Sequence, residues 1–435
     1  MAIQPPRGTR DFMPADMIRR EYLLEMVRAV FRDYGFQPME TPAFESWELL
    51  GKKGVGGEEV KDEVYCFRDK AKRELGLRFD LTVPMARVVA ANPQLPKPFK
   101  RYQIGRAWRY DRPQAGRFRE FWQADADIVG SSRMDAEAEC LALAVNCLKQ
   151  LGFSRFRIRL NNRKILNGMV ELAGVKKQKA PEVFRVLDKL EKLGESEVRK
   201  ELSRIASPKK ARQILDAIGR RGPPSTMLKG LPEIEQSTTA KEGAEELKGI
   251  VRKCQAYGIG KFIEIDFSLV RGLDYYTGPI FEISIESEKS LGSAAGGGRY
   301  DNLIELYGGK WTPAVGISLG IERIYELMES EDLFSHQPST RTELFIVSVD
   351  DASRKESISI AQKLRDRFVN TETDLMGRDI KKQLNYVNSR SIPFALFVGP
   401  HEIRKGRFTL KDMKSGKERG LTLAQLIKNF SKDQS

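Results

Sequence analysis

Apolar residues recur at helical spacing from Met17 to Tyr34, with Ile18, Tyr22, Met26 and Val30 on one side. That periodicity predicts an amphipathic helix, and Gly35 is placed to stop it. Further on the period falls to two. Residues 97–110 and 118–130 predict a pair of strands joined by DRPQAGR, a charged loop containing Pro and Gly. Along the second strand, Phe118, Trp122, Ala124, Ala126 and Ile128 form a core-like face, while Arg119, Phe121, Gln123, Asp125 and Asp127 form the other. Residues 155–160, 261–269 and Ile280–Ile285 predict more strands. Between 180 and 253, stretches such as PEVFRVLDKLEKLG and KEGAEELKGI read as helices with polar faces, and strand patterns are hard to find. A helical domain inserted at 176–253 into a β-rich core over 1–335 is therefore expected. SHQPSTR (335–341) reads as a linker. Beyond it TELFIVSVD, a helical pattern reaching Phe368, IPFALFVG and RFTLKDM alternate strand with helix, which predicts a small α/β domain over 342–435.

Composition narrows the chemistry. The chain has 435 residues, enough for two or three domains, and its 40% hydrophobic and 31% charged content can support a sizeable core. Cys66, Cys140, Cys147 and Cys254 form no CxxC pair, so four reduced, buried thiols are expected rather than a metal site. Nothing at the start resembles an apolar leader and no long apolar stretch follows, so a cytosolic protein without a membrane span is expected. His336 and His401 are the only histidines, and both fall in linker-like or loop-like contexts. A hydrolytic Ser-His-Asp triad or a His-ligated metal is nearly excluded, and catalysis must rest on Arg, Asp, Glu, Gln, Tyr or backbone. The net charge is +14, of which residues 176–253 carry +7 and residues 342–435 carry +6. That division fits a large polyanion gripped at two places, or two solvated helical surfaces.

Four stretches carry candidate chemistry. Arg109, Arg112, Arg117 and Arg119 cluster around the hairpin beside the acidic face of the 118–130 strand, which suits a ligand bearing both phosphate and ammonium groups. A half-solvated antiparallel sheet gives the same alternation. LVRGLDYYTG (269–278) sets Arg271 before Asp274, Tyr275 and Tyr276; a strand end with a salt bridge is the plainer alternative. SAAGGGRYDNLIELYGG (293–309) lets backbone lie close to a ligand or another strand, but it has no GK[ST] and is no Walker loop. AVGISLGIERIYELMES (314–330) runs from a strand into a helix with Arg323 near its start.

Taken in order, these stretches resemble the histidyl-tRNA synthetases, a family of class II aminoacyl-tRNA synthetases, over nearly the whole chain. RGTRDFMP (7–14) resembles the family's N-terminal signature and YGFQPMETPAFE (34–45) its motif 1, which implies a homodimer. GRAWRYDRPQAGRFREFWQADADIVG resembles motif 2 and AVGISLGIERI motif 3. LVRGLDYYTG and AAGGGRYD resemble the two histidine-specific motifs, and LRFDLTVP with WQADAD is closer to the archaeal and eukaryotic branch. The resemblance implies an α+β fold: a class II antiparallel sheet flanked by helices, an inserted helical domain and a C-terminal α/β anticodon-binding domain. It implies ATP, L-histidine and tRNA(His) as substrates, with Mg²⁺ bridged by phosphates rather than held by the protein. Carried over residue by residue, it makes Arg271 and Arg109 the catalytic cations. It assigns Asp80, Thr82, Gln123, Asp127, Tyr275 and Tyr276, with Arg271, to histidine. Arg117, Phe121 and Arg323, with Arg109, go to ATP, and Arg112 and Gln114 to the tRNA acceptor end. The alternatives are a non-catalytic regulatory subunit of ATP phosphoribosyltransferase, another class II synthetase, and a nucleic-acid-binding module without catalysis.

Overall fold

The computed structural model describes residues 3–52, 62–113, 116–229, 231–271, 275–287 and 292–430. The chain divides into two compact units. One holds residues up to Asp11 and Leu23–Leu333; the other holds Phe12–Tyr22 and the residues from Phe334 onward. The first helix, Pro14–Asp33, thus gives its opening turns to the second unit, a division its unbroken helical period did not reveal. Gly35 ends it in the left-handed region (φ 74°), with its N–H bonded to the Arg32 carbonyl at 2.8 Å.

The first unit contains strands β1 (Gln37–Pro38), β2 (Phe44–Ser46), β3 (Cys66–Arg68), β4 (Glu74–Leu77), β5 (Phe99–Trp108) and β6 (Glu120–Val129). These are followed by β7 (Phe156–Asn162), β8 (Arg221–Gly222), β9 (Ile263–Asp266), β10 (Pro279–Ile285), β11 (Ser293–Arg299) and β12 (Ala314–Gly320). Among the described residues nine strands form the main sheet, ordered β1-β5-β6-β12-β11-β10-β7-β9-β8. Its pairs are antiparallel except β1 with β5 and β7 with β9. Strands β2, β4 and β3 make a small separate sheet.

Pairing register turns the alternation of β6 into rows across the sheet. Gln103, Asp125, Ser318, Gly296 and Glu282 stand side by side, and the next row is Arg101, Asp127, Gly316, Gly298 and Ile280. The opposite face holds Ala124, Ala126, Ile128, Val315, Ile317 and Leu319, all buried, and packs against the helix Asp135–Gln150. Burying that face supplies the hydrophobic stabilisation of the layer.

Three features differ from the sequence expectation. Strand β9 ends at Asp266, because the Asp266 carboxylate accepts the Ser268 N–H at 2.9 Å and closes a turn that ladder pairing cannot cross. The largely helical stretch between β7 and β9 includes Ala180–Leu187, Glu195–Ile205, Pro208–Ile218 and Thr238–Ala256. It belongs to the same compact unit as the sheet and lends it the two-residue edge strand β8, too short to show any alternation. Cys66 is exposed rather than buried, since it lies on β3, an edge strand whose residues all face solvent; the other three cysteines are buried.

The second unit has strands β13 (Leu344–Ser348), β14 (Thr371–Thr373), β15 (Phe394–Val398), β16 (Phe408–Asp412) and β17 (Glu418–Leu421), ordered β14-β13-β15-β16-β17. The first three pair in parallel and the rest antiparallel. Leu344, Ile346, Leu396 and Val398 point into one core with Ile360, Leu364 and Leu426, while Phe345, Val347 and Ala395 point into another with Val387 and Ile392. A strand buried on both sides reads as a continuous apolar run, which is why LFIVS shows no alternation.

The centre of the main sheet leaves no room at Gly297. A Cβ there would fall on the Gly316 carbonyl and 2.8 Å from the Phe281 ring. Gly297→Ala should lower stability by about 3 kcal/mol or more. Gly222→Ala, which meets nothing nearer than 3.5 Å, should be close to neutral; denaturant midpoints of the two variants check this.

Candidate active site

Glycines on the polar face allow side chains to lie flat on the sheet. A Cβ at Gly296 would fall on the Arg271 guanidinium, one at Gly298 would come within 2.9 Å of the Tyr276 ring, and one at Gly316 would strike the Asp127 carboxylate. Close approach of this kind needs residues without side chains.

The acidic part of the site is buried. Asp127 on β6 forms an ion pair with Arg101 (2.7 Å, Nη2 to Oδ2), and Tyr300 donates its hydroxyl to the other carboxylate oxygen. Burial raises the Asp127 pKa, against the pull of Arg101 and Tyr300. Asp125 is pushed up to about 7, chiefly by burial, with Asp127 adding to it and Arg101 opposing. Asp80, just ahead of the helix Thr82–Ala91, accepts the Val83 N–H at 3.1 Å and is pushed up to about 6 by burial. Thr82 opens that helix and is buried. Gln123 donates to the Ser318 hydroxyl at 2.8 Å, which leaves its carbonyl oxygen facing the site. Asp80 Oδ2, Gln123 Oε1 and Asp125 Oδ1 are buried acceptors without a hydrogen-bond partner among the described residues. Buried acceptors without donors are costly, and a ligand ammonium with three N–H groups matches them.

A basic wall adjoins this floor. Arg271 Nη1 lies 2.7 Å from Glu282 Oε1, and its guanidinium centre is 5.9 Å from the Tyr276 ring. Burial disfavours its charge, but Tyr276 and Glu282 outweigh that and raise its pKa. Its backbone is left-handed (φ 63°), a strained state for a non-glycine residue that costs about 1–3 kcal/mol. The approach to it is anchored: Asn161 Nδ2 donates to the carbonyls of Phe267 (3.1 Å) and Leu269 (2.8 Å), and Arg163 donates to that of Val270 (3.2 Å). Arg109 donates to the Phe79 carbonyl at 3.0 Å and stands 5.3 Å over the Phe121 ring. Arg323 donates to the Ser293 carbonyl at 2.8 Å; burial and then the nearby Arg117, Arg109 and Arg271 hold its pKa down. Four guanidinium groups from distant parts of the chain therefore share one field, ready for a polyanion.

The structure thus gathers Arg109 and Arg271 beside the Gln123–Asp127 row, with Tyr275 packed 4.9 Å from Tyr276 and 5.6 Å from Tyr300. Other expected residues are engaged differently. Arg117 forms an ion pair with Asp111, and Arg112 is exposed in the hairpin. Gln114 and Asp274 lie outside the described residues. Sequence reasoning missed Arg101, Tyr300, Ser318 and Glu282. Glu282 was legible as a charge inside the apolar run PIFEISI; the others acquire meaning only through register. Among the described residues no group of three or more His, Cys, Asp or Glu side chains is gathered for a metal ion.

An antiparallel sheet carrying an acidic floor and an arginine wall, with a separate α/β unit, is the layout of a class II aminoacyl-tRNA synthetase. The family model of histidyl-tRNA synthetases matches residues 8–324, and that of an anticodon binding domain matches residues 343–433. The chain is 40% identical over 428 residues to the histidine–tRNA ligase of Aeropyrum pernix, covering 98% of this chain and 97% of that one. It is 41% identical over 410 residues to that of Korarchaeum cryptofilum, covering 93% of each. A histidyl-tRNA synthetase structure from Nostoc superposes with a TM-score of 0.83 at 29% identity, covering 99% of both chains. The chain belongs to the histidyl-tRNA synthetase family.

Raised carboxylate pKa values fix a sign. Asp80 and Asp125 bind protons more tightly folded than unfolded, so they stabilise the first unit at acidic pH, and that stabilisation fades as pH rises through about 6 to 7. The thermal midpoint of the ligand-free protein should fall between about pH 5 and about pH 8, and Asp125→Asn should flatten the decline. Calorimetry across that range checks it.

Proposed function

We infer that this chain is a histidine–tRNA ligase that forms histidyl-adenylate from L-histidine and ATP and then esterifies the 3′-terminal ribose of tRNA(His). One observation carries the site reading: three buried acceptors, unpaired among the described residues, lie beside converging arginines, a pocket of opposite signs suited to a zwitterion meeting a triphosphate. In this reading Asp80, Thr82 and Gln123 hold the α-ammonium, and Asp125 joins them. Asp127 and Tyr276 read the two imidazole nitrogens; each Asp127 oxygen keeps a lone pair beyond those given to Arg101 and Tyr300. Tyr275 backs Tyr276 through ring contact. Phe or Leu in the pocket would leave these polar groups unpaired, which is strong discrimination.

A histidine carboxylate oxygen attacks the α-phosphorus of ATP, a P–O bond forms, and the bond to pyrophosphate breaks. Arg271 binds the histidine carboxylate and α-phosphate together, and Arg109 holds the α-phosphate, offsetting charge that builds in transfer. Arg323 and Arg117 meet the outer phosphates, with Phe121 against the adenine. A ribose hydroxyl of the tRNA then attacks the activated carbonyl, AMP departs with the bonding pair, and the hydroxyl proton is lost. Arg112 and Gln114 are assigned to the acceptor end. Mg²⁺ would travel with the triphosphate as its counter-ion.

Residues 1–335 are proposed as the catalytic core, 176–253 as its helical insertion and 342–435 as the anticodon-binding domain. A cytoplasmic homodimer completes the proposal; no described helix is long and apolar enough to cross a membrane. A non-catalytic regulatory role is disfavoured because Arg109, Arg271 and Arg323 are all present and share one field.

Arg271→Ala should reduce histidine-dependent ATP–pyrophosphate exchange by about 100-fold or more while the thermal midpoint stays near wild type. Near-normal exchange would remove its role. Asp127→Ala should raise KM for histidine far more than KM for ATP, and equal losses in the same assay would contradict the imidazole assignment.

A further inference from the structure

Arg101 has no assigned role in the reaction, yet the acidic floor depends on it. It stands on β5 directly opposite Asp127 and is wholly buried. Besides its ion pair with Asp127, it donates to the Leu81 carbonyl at 3.1 Å, next to Asp80. Its Nε and Nη1 have no hydrogen-bond partner among the described residues. A buried guanidinium so incompletely paired is a poor structural filler, because one ion pair does not offset its lost hydration. What it does supply is positive charge: Asp80, Asp125 and Asp127 all lie within its electrostatic reach.

We propose that Arg101 is a positioning and specificity-determining residue for amino-acid binding, which keeps the pocket floor anionic and Asp127 turned to accept N–H donors from the substrate. The proposal rests on the reading of this pocket as the histidine site. Among the described residues the groups facing Arg101 are few. Asp125 and Asp127 come from β6, Asp80 from the turn before the helix Thr82–Ala91, Tyr300 from the end of β11, and Gln103 from β5 itself. Tyr275 meets Tyr300 edge to face, and Cys140 of the helix Asp135–Gln150 feels Asp127 from behind the sheet. Arg109 acts on Asp80 and Arg78 on Asp125, but the ion pair with Asp127 comes from Arg101. Removing Arg101 therefore takes away the positive charge that opposes burial at these carboxylates, so each holds its proton to higher pH, and a protonated floor neither attracts an ammonium nor offers an imidazole N–H the acceptor strength of a carboxylate.

The test uses the full chain with Arg101→Met and Arg101→Lys. KM for histidine and for ATP is measured by pyrophosphate exchange from about pH 6 to about pH 9. Titration of histidine itself cancels in the variant-to-wild-type ratio. Arg101→Met should raise the histidine KM roughly 30-fold at pH 7, with the ratio shrinking as pH rises and the ATP KM within about twofold. Arg101→Lys, which keeps the charge but not the fork that reaches Leu81, should raise the histidine KM about fivefold with a wild-type pH profile. A ratio that ignores pH, an equal loss for ATP, or an unchanged histidine KM would overturn the proposal. If Arg101→Met gives no folded protein by circular dichroism, the Arg101→Lys outcome decides alone. Wild-type exchange that does not depend on histidine would instead sink the reading of the site itself.

Discussion

Buried carboxylates on one face of a sheet are tolerable only where positive charge or donors meet them, and that compensation organises the first unit. Asp125 and Asp127 sit on a strand whose reverse face is packed apolar core, so neither can turn toward solvent. Arg101 from the neighbouring strand meets Asp127, and Tyr300 closes over it from the other side. Part of the demand stays open among the described residues, at Asp80 Oδ2, Gln123 Oε1 and Asp125 Oδ1. A stable protein holding such open acceptors stores a preference for a donor-rich ligand, and in the proposed reading histidine satisfies it.

The backbone makes this compensation possible. Gly296, Gly298 and Gly316 lie in adjacent rows of the same face, and each yields the space of a side chain to a functional neighbour. Arg271 arrives from outside the sheet, after the turn that ends β9, and is laid across Gly296 to reach Glu282. Its left-handed backbone persists because Asn161 and Arg163 bind the carbonyls on the approach. Strain at one residue is offset by hydrogen bonds from a neighbouring strand and the helix that follows it, so the guanidinium is fixed before any substrate binds.

Much of this was legible in the chain. The alternation over 118–130 gave the correct split between the Gln123–Asp127 face and the Ala124–Ile128 face, because a one-sided strand writes its burial into every second residue. The strand-to-helix switch near Gly320 was equally plain. Partners across strands were not. Arg101 and Asp127 are opposed only once β5 and β6 pair in one particular register, and no local periodicity encodes that choice. The glycine run at 296–298 signalled close approach without saying that it lies in a central strand beneath Arg271 and Tyr276. Strand β8 escaped because two residues cannot display a period. Cys66 was misjudged because a thiol carries no mark of whether its strand lies at an edge.

The two halves of the site have opposite signs, and that polarity constrains how a substrate can lie. An amino acid placed with its ammonium on the acidic floor directs its carboxylate toward the arginine wall, since the reverse pose sets like charges together in a medium that screens them poorly. Arg271 stands where the halves meet, bonded to Glu282 on one side and sharing the field of Arg109 and Arg323 on the other. A guanidinium suits that position better than an ammonium would. Its planar fork can keep one edge on Glu282 while another edge presents two parallel donors to a carboxylate and a phosphate oxygen. In the proposed reaction the nucleophile and the phosphorus are thus aligned by charge alone, without a general base, which accords with a chain whose only histidines, His336 and His401, lie outside the catalytic rows.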